Sequence, residues 1–269
     1  MRLKNYRSIK NFTVFDNQLY AFTQKIAFKG TVLNKQLNIK SSQKNNTVSA
    51  YRAYVKKLVN NAELKWLYYT LLTGDKSLMT FEQKRLMQSL GLSHLLAISG
   101  LHISLVFGFC YFVTRFCLKL VKPELNQGIN VSIVYSAVGF VVAFIYVYLS
   151  DFIISATRAL IMLGCYLLLY YLAKQSLRWR SILYALVIIL AVNPFSVLNP
   201  GLYFSFLAVC IIFMVLKQFP LRGHSLLANM RTLFIIQLGL FIGLLPLSLY
   251  FFNGVSLVGL VLNLVAIPI

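Results

Sequence analysis

The chain has 269 residues, 59% of them hydrophobic, and a mean hydropathy of +0.73. Soluble domains run at about 45–50% apolar, so an ordinary soluble fold is excluded and a polytopic helical membrane protein, mainly α, is predicted. Lys and Arg number 26 against 6 Asp and Glu, formally +20, and residues 1–93 hold 16 of the basic and 4 of the acidic residues. That division predicts a basic, mostly polar arm ahead of a membrane body.

In chain order, Met1–Asn11 is basic with no apolar run behind it, so no secretory signal is expected there. A short helix is predicted over 16–24, with Phe15, Leu19 and Phe22 on one side. From Lys25 the residues alternate: Ile26, Phe28 and Val32 face one way, while Lys25, Ala27, Lys29 and Thr31 face the other. Leu37 and Ile39 repeat the pattern beyond Asn34, which predicts a small two-stranded β-ribbon. An isolated hairpin is only marginally stable in water, so the rest of a β-fold is expected upstream.

A polar linker, Ser41–Thr47, leads to Ser49, a good helix N-cap. One amphipathic helix is predicted from there to Gly74, with Trp66, Tyr68 and Tyr69 at a membrane interface. A second is expected from Thr80, whose spacing to Gln83 makes a capping box, to Gly91. The expected division is a basic arm over 1–48, interfacial helices over 49–93 and a transmembrane domain over 94–269.

Six spans are predicted at 95–118, 129–149, 152–173, 181–198, 200–219 and 231–252, each near the ~20 residues a bilayer requires. A seventh starts at Val255 and is cut off at Ile269, so the chain is expected to be incomplete. Arg115, Lys119 and Lys122 follow the first span, Lys174, Arg178 and Arg180 the third, and Lys217, Arg222 and Arg231 the fifth. The alternate loops, at Ser150–Asp151, Asn193–Asn199 and Asn253–Gly254, carry neither Lys nor Arg. The basic loops are therefore assigned to the cytoplasm. This puts residues 1–93 outside, which a basic arm with no preceding span should not reach; loss of an N-terminal part resolves the conflict.

Cys110, Cys117, Cys165 and Cys210 all fall in apolar runs without a CxxC pair and read as small buried hydrophobes. In the first span Gly100, Ser104 and Gly108 form a small-residue stripe that should let a neighbouring backbone approach closely. Ser99 and His102 lie on an adjacent face, with His94 towards the mouth of the helix. Three readings compete for that pair: interhelical packing, a polar wall for something crossing the membrane, and an intramembrane Ser–His hydrolase. Two residues one turn apart on one helix point sideways, which weakens the third. Arg158 should face protein or water, or pair with Asp151, because a charge at mid-bilayer costs about 2.5–3.5 kcal/mol on insertion scales. Asn263 and Gln237 are neutral polar residues deep in their spans. No HExxH, paired carboxylates or phosphate loop occurs, and His94, His102 and His224 lack metal-ligand spacing. No cofactor or metal is expected, and the chain is not expected to fuel transport.

The stretch from Gly91 to Ile103, Gly-Leu-Ser-His-Leu-Leu-Ala-Ile-Ser-Gly-Leu-His-Ile, closely resembles the signature of the ComEC competence family. The resemblance extends to Leu71-Leu72-Thr73-Gly74-Asp75-Lys76, to Arg158-Ala159 with Met162, and to Asn193-Pro194. It includes Tyr203–Val209 and Asn263-Leu-Val-Ala-Ile-Pro. Upstream, 11–16 and 26–32 are similar to the tail of the family's N-terminal OB-like domain. The resemblance implies an inner-membrane channel admitting single-stranded DNA during natural transformation, not an enzyme. It marks Asp75, His94, Ser99, Gly100, His102, Arg158 and Asn263 as motif residues. Lys25, Lys29, Arg52, Lys56 and Lys57 of the arm suit a polyanion, since phosphate contacts dominate nucleic-acid affinity. The implied partners are single-stranded DNA, the lipid bilayer, other DNA-uptake proteins, an unidentified motor and the missing parts of the same channel. A fragment of a permease or transporter is the alternative, and an intramembrane hydrolase the third class.

Overall fold

Long apolar segments without internal carboxylates can satisfy their backbone groups in lipid only as helices. The computed structural model describes residues 2–5, 28–31, 46–89, 98–121, 129–173, 178–219 and 226–252. Among these, three helices precede the bundle: α1 (Asn46–Leu58), α2 (Lys65–Thr73) and α3 (Phe81–Ser89). Six follow: α4 (Gly100–Val121), α5 (Ile129–Leu149), α6 (Ile154–Ala173), α7 (Arg178–Val192), α8 (Pro200–Gln218) and α9 (Leu226–Phe252). Five of them, all but α7, are long and apolar enough to cross a membrane.

α7 departs from the expected span at 181–198. Its 15 residues reach about 22 Å, short of the ~30 Å hydrocarbon core. The helix stops at Val192, ahead of Pro194, and a 3-10 turn, Pro194–Leu198, carries the chain on to α8. A proline can open a turn of helix and disfavours the helical conformation of the residue before it, here Asn193, which is extended. Asn199 then caps α8, its side chain accepting from the Gly201 N–H at 2.9 Å, with Pro200 in the first position. The expected seventh span lies outside the described residues.

The strands β1 (Arg2–Asn5) and β2 (Phe28–Thr31) pair antiparallel, with Lys4 opposite Lys29. The described partner of 28–31 is thus 2–5; the expected pairing with 37–39 lies outside the described residues, as does the helix expected at 16–24. Two four-residue strands do not support a remnant of an OB-like domain.

The single helix expected from Ser49 to Gly74 is instead a helical hairpin. α1 ends before Asn60-Asn61, a poor helix-forming pair, and α2 folds back so that Val55, Val59 and Tyr69 bury one another. Its stop at Gly74 is as expected: φ is +70° and the glycine N–H returns to the Thr70 carbonyl at 2.8 Å. The Thr80–Gln83 capping box closes in both directions, at 3.0 and 3.3 Å.

The hairpin docks on α5. Tyr146 Oη donates to the Leu71 carbonyl at 2.9 Å and Tyr51 Oη to that of Leu72 at 3.1 Å, satisfying carbonyls that the end of α2 leaves unpaired. Thr47 and Tyr148 join their hydroxyls at 3.0 Å, and Arg52 pairs with Asp151 at 3.5 Å. The hairpin therefore sits at the end of the bundle that carries the Lys- and Arg-free turn Ser150–Asp151.

α4, α5 and α6 meet around Ile98, Ile103, Ala143, Val147, Ala156 and Leu160. At the far end of the α5–α6 seam the Tyr171 hydroxyl joins those of Ser136 and Ser132 at 2.6 and 3.0 Å. The close approach between α4 and α5 is not made by the stripe of Gly100, Ser104 and Gly108. Among the described residues a Cβ on Gly108 would meet nothing within 4 Å, and Ser104 is exposed. Gly139 of α5 makes it instead, since a Cβ there would stand 2.9 Å from the Phe107 carbonyl oxygen. Cys165 is buried and Cys110 and Cys210 half-buried as expected, but Cys117 is exposed on α4.

Gly139→Ala should lower stability by about 1–3 kcal/mol, the usual cost of overpacking, while Gly108→Ala should be neutral or stabilising. Thermal unfolding of both variants in detergent checks this, and equal midpoints would refute the packing. The loop charges predict that a Cys placed at Ser196 reacts with an impermeant thiol reagent from outside only, on a Cys-free background.

Candidate functional site

Four segments that the sequence keeps far apart meet at the end of the bundle under the docked hairpin. Gly74 closes α2 so tightly that a Cβ there would overlap Ile153 and lie 3.0 Å from Ile98 Cδ1. Ile98, 1% exposed, is tied to α6 by Ser155 Oγ, which donates to its carbonyl at 2.6 Å. Gly100 then starts α4 against Ala159, with 3.4 Å between their β-positions. Arg158, one residue earlier on α6, reaches the first turn of α8 at Gly201. The motif residues Ser99, Gly100, His102 and Arg158 are thus gathered, and Asp75 follows Gly74 directly. His94 and Asn263 lie outside the described residues.

α4 begins at Gly100, not at the expected 95, so Ser99 stands just before its first turn. That overturns the expectation that Ser99 and His102 point apart. His102 Nδ1 accepts the Ser99 backbone N–H at 3.2 Å and lies 3.0 Å from Ser99 Oγ. The imidazole fills the place that Glu or Gln takes in a capping box, reaching back from the third helical position to the residue before the helix. A backbone amide can only donate, so Nδ1 is unprotonated and the ring proton lies on Nε2. A hydrolytic base would need that same lone pair for the serine proton. The signature thus caps the start of a membrane helix, pairing the half-buried amide of Ser99.

Asp75 is likewise structural in its contacts. Oδ1 accepts the Ser77 N–H at 2.9 Å, and Oδ2 accepts the Ser77 and Tyr69 hydroxyls at 3.0 and 3.3 Å. Burial, and then the Asp75 charge, push the Tyr69 phenol above its ordinary pKa, so it remains a donor.

Arg158 is 6% exposed, and its Nε and Nη1 are buried with no hydrogen-bond partner among the described residues. Asp151, the alternative partner, pairs with Arg52. That also occupies one of the arm's expected nucleic-acid contacts. Lys56 and Lys57 are exposed at the end of α1, Lys29 lies in β2, and Lys25 is outside the described residues. Gln237 is half-buried on α9. No group of three or more His, Cys, Asp or Glu that could hold a metal occurs among the described residues.

Sequence reasoning missed Ser155, Asn199 and Gly201. Asn199-Pro200 carried a readable signal, an N-cap residue before a first-position proline; the close approach of Gly201 to Arg158 had none.

A model of the competence protein family matches residues 71–269. Recombination protein 2 of Haemophilus influenzae is 29% identical over 280 residues, covering 99% of this chain and 34% of that protein. ComE operon protein 3 of Bacillus subtilis is 25% identical over 263 residues, covering 94% of this chain and 31% of that protein. The chain spans about a third of the length of the curated relatives it matches. No solved structure matches it.

The capping assignment predicts that His102→Gln, which can still accept the Ser99 N–H, unfolds within a few degrees of the parent. His102→Ala should lose about 1 kcal/mol, the typical value of a cap. Equal losses in detergent melting curves would remove the cap as the role of the imidazole.

Proposed function

The chain belongs to the competence protein family, and from that premise we propose that it forms part of an inner-membrane channel admitting single-stranded DNA during natural transformation. In this reading the chain performs no covalent chemistry. It works within the bilayer beside the remaining parts of the same channel, other DNA-uptake proteins and a motor that supplies the energy.

The observation that carries the reading is the buried guanidinium of Arg158 beside the signature, whose Nε and Nη1 have no partner among the described residues and where four segments of the family-matched region converge. A polar wall inside a membrane bundle is costly, and ionisable residues there mark pathways for polar cargo. The exposed Lys56 and Lys57, at the same end of the bundle, suit the approach of a polyanion. One observation favours a hydrolase instead, the 3.0 Å separation of Ser99 Oγ and His102 Nδ1. The backbone amide's hold on Nδ1 weighs against it.

The test is transformation frequency in a deletion strain of a transformable bacterium, complemented with this chain or with a full-length relative. In the full-length background, Ser99→Ala removes one hydrogen bond worth about 0.6 kcal/mol in a membrane. Uptake normalised to inserted protein should then fall by no more than about threefold. A nucleophilic serine would give a loss of several orders of magnitude at normal abundance, and that result would overturn the channel reading.

A further inference from the structure

Arg158 is the only buried Lys or Arg among the described residues. None of the six carboxylates of the sequence falls within a candidate span, so no span offers Arg158 an acidic partner, and Asp151 of the α5–α6 turn pairs with Arg52. Its guanidinium lies over the first turn of α8: the position of a Cβ on Gly201 is 2.9 Å from Nη2 and 3.5 Å from Nη1. That turn is the positive end of a 19-residue helix. A cation pressed against a positive helix terminus is unfavourable unless an anion lies between or beside them.

We propose that Arg158 and the amino end of α8 form a binding site for one phosphodiester group. Nε and Nη1, which have no partner among the described residues, supply the donors, and a guanidinium edge matches two oxygens of one phosphate. The helix contributes potential more than free donors. Pro200 has no N–H, Asn199 Oδ1 takes that of Gly201, and the Asn199 carbonyl takes that of Leu202 at 2.9 Å. Gly201 is required because any side chain there would fill the space the guanidinium occupies. A nucleic-acid backbone and a phospholipid headgroup present the same phosphodiester. Arg158 is buried against α8, so the strand is the occupant, an assignment that rests on the channel reading.

The experiment uses the full chain in maltoside micelles and follows the thermal unfolding midpoint against three probes. They are dimethyl phosphate, a short oligothymidylate and phosphatidylglycerol. Dimethyl phosphate and oligothymidylate should both stabilise the parent. Arg158→Gln should weaken both by ~10-fold or more, the loss of a charge-assisted pair. Arg158→Lys, which keeps the charge without the fork, should fall between. Gly201→Ala retains the arginine but displaces it, and should weaken binding while the protein remains monodisperse, which covers failure of the Arg158 variants to fold. Stabilisation by dimethyl phosphate and phosphatidylglycerol but not by oligothymidylate would keep the site and overturn the strand as its occupant. Equal responses of parent and variants to every probe, or no response of the parent to any, would overturn the site itself.

Discussion

The bundle depends on how closely α4 and α5 can approach. In lipid the surroundings are as apolar as the side chains, so burial of leucines and phenylalanines gives helices little reason to associate. Packing contact and interhelical hydrogen bonds must do it. Gly139 lets the α4 backbone at Phe107 come close, and Ala143 and Ala156, both fully buried, continue the narrow seam towards α6. Everything at the site follows from that seam. It fixes Ile98 against α6, which places the start of α4, and with it Ser99 and His102, beside the helix that carries Arg158.

The turn between α5 and α6 is built under strain for the same purpose. Asp151 and Phe152 adopt φ of 62° and 49°, a left-handed pair without glycine, and each such residue costs on the order of 1–3 kcal/mol. The surroundings hold it in place. The Phe152 ring meets Phe144 and Tyr148 edge-on, its N–H returns to the Val147 carbonyl at 3.1 Å, and Arg52 draws Asp151 towards the hairpin. The tight reversal brings Ser155 back beneath the signature within a few residues.

What was legible in the sequence was whatever local chemistry decides. The capping box at Thr80 and Gln83, the left-handed stop at Gly74 and the bounds of α5 follow from neighbouring residues alone. The misreadings have a common cause. The stripe of Gly100, Ser104 and Gly108 marks which residues could permit close contact, but not where a partner lies, and Gly139 on the facing helix carried the contact instead. Extending the first span to residue 95 placed Ser99 inside a helix, and with it the wrong geometry for His102. Asp151 lies near Arg158 in sequence, yet its partner came from α1, about a hundred residues upstream and joined only by folding. Of the site, Ser99, Gly100, His102 and Arg158 were named from residue type, while Ser155 and Gly201 became visible only in three dimensions.

The bonds that join the helical hairpin to the bundle differ in kind from those expected to draw a polyanion to its surface. Tyr146 holds a main-chain carbonyl at the end of α2, and the Thr47–Tyr148 contact is neutral as well; Arg52–Asp151 is the ion pair among them. Neutral hydrogen bonds are indifferent to ionic strength, whereas the attraction of Lys56 and Lys57 for phosphate is screened within about 8–10 Å at ordinary salt. Architecture and attraction therefore answer to separate controls. A change in the saltiness of the surroundings can loosen the hold on a charged strand while the platform that would receive it stays seated.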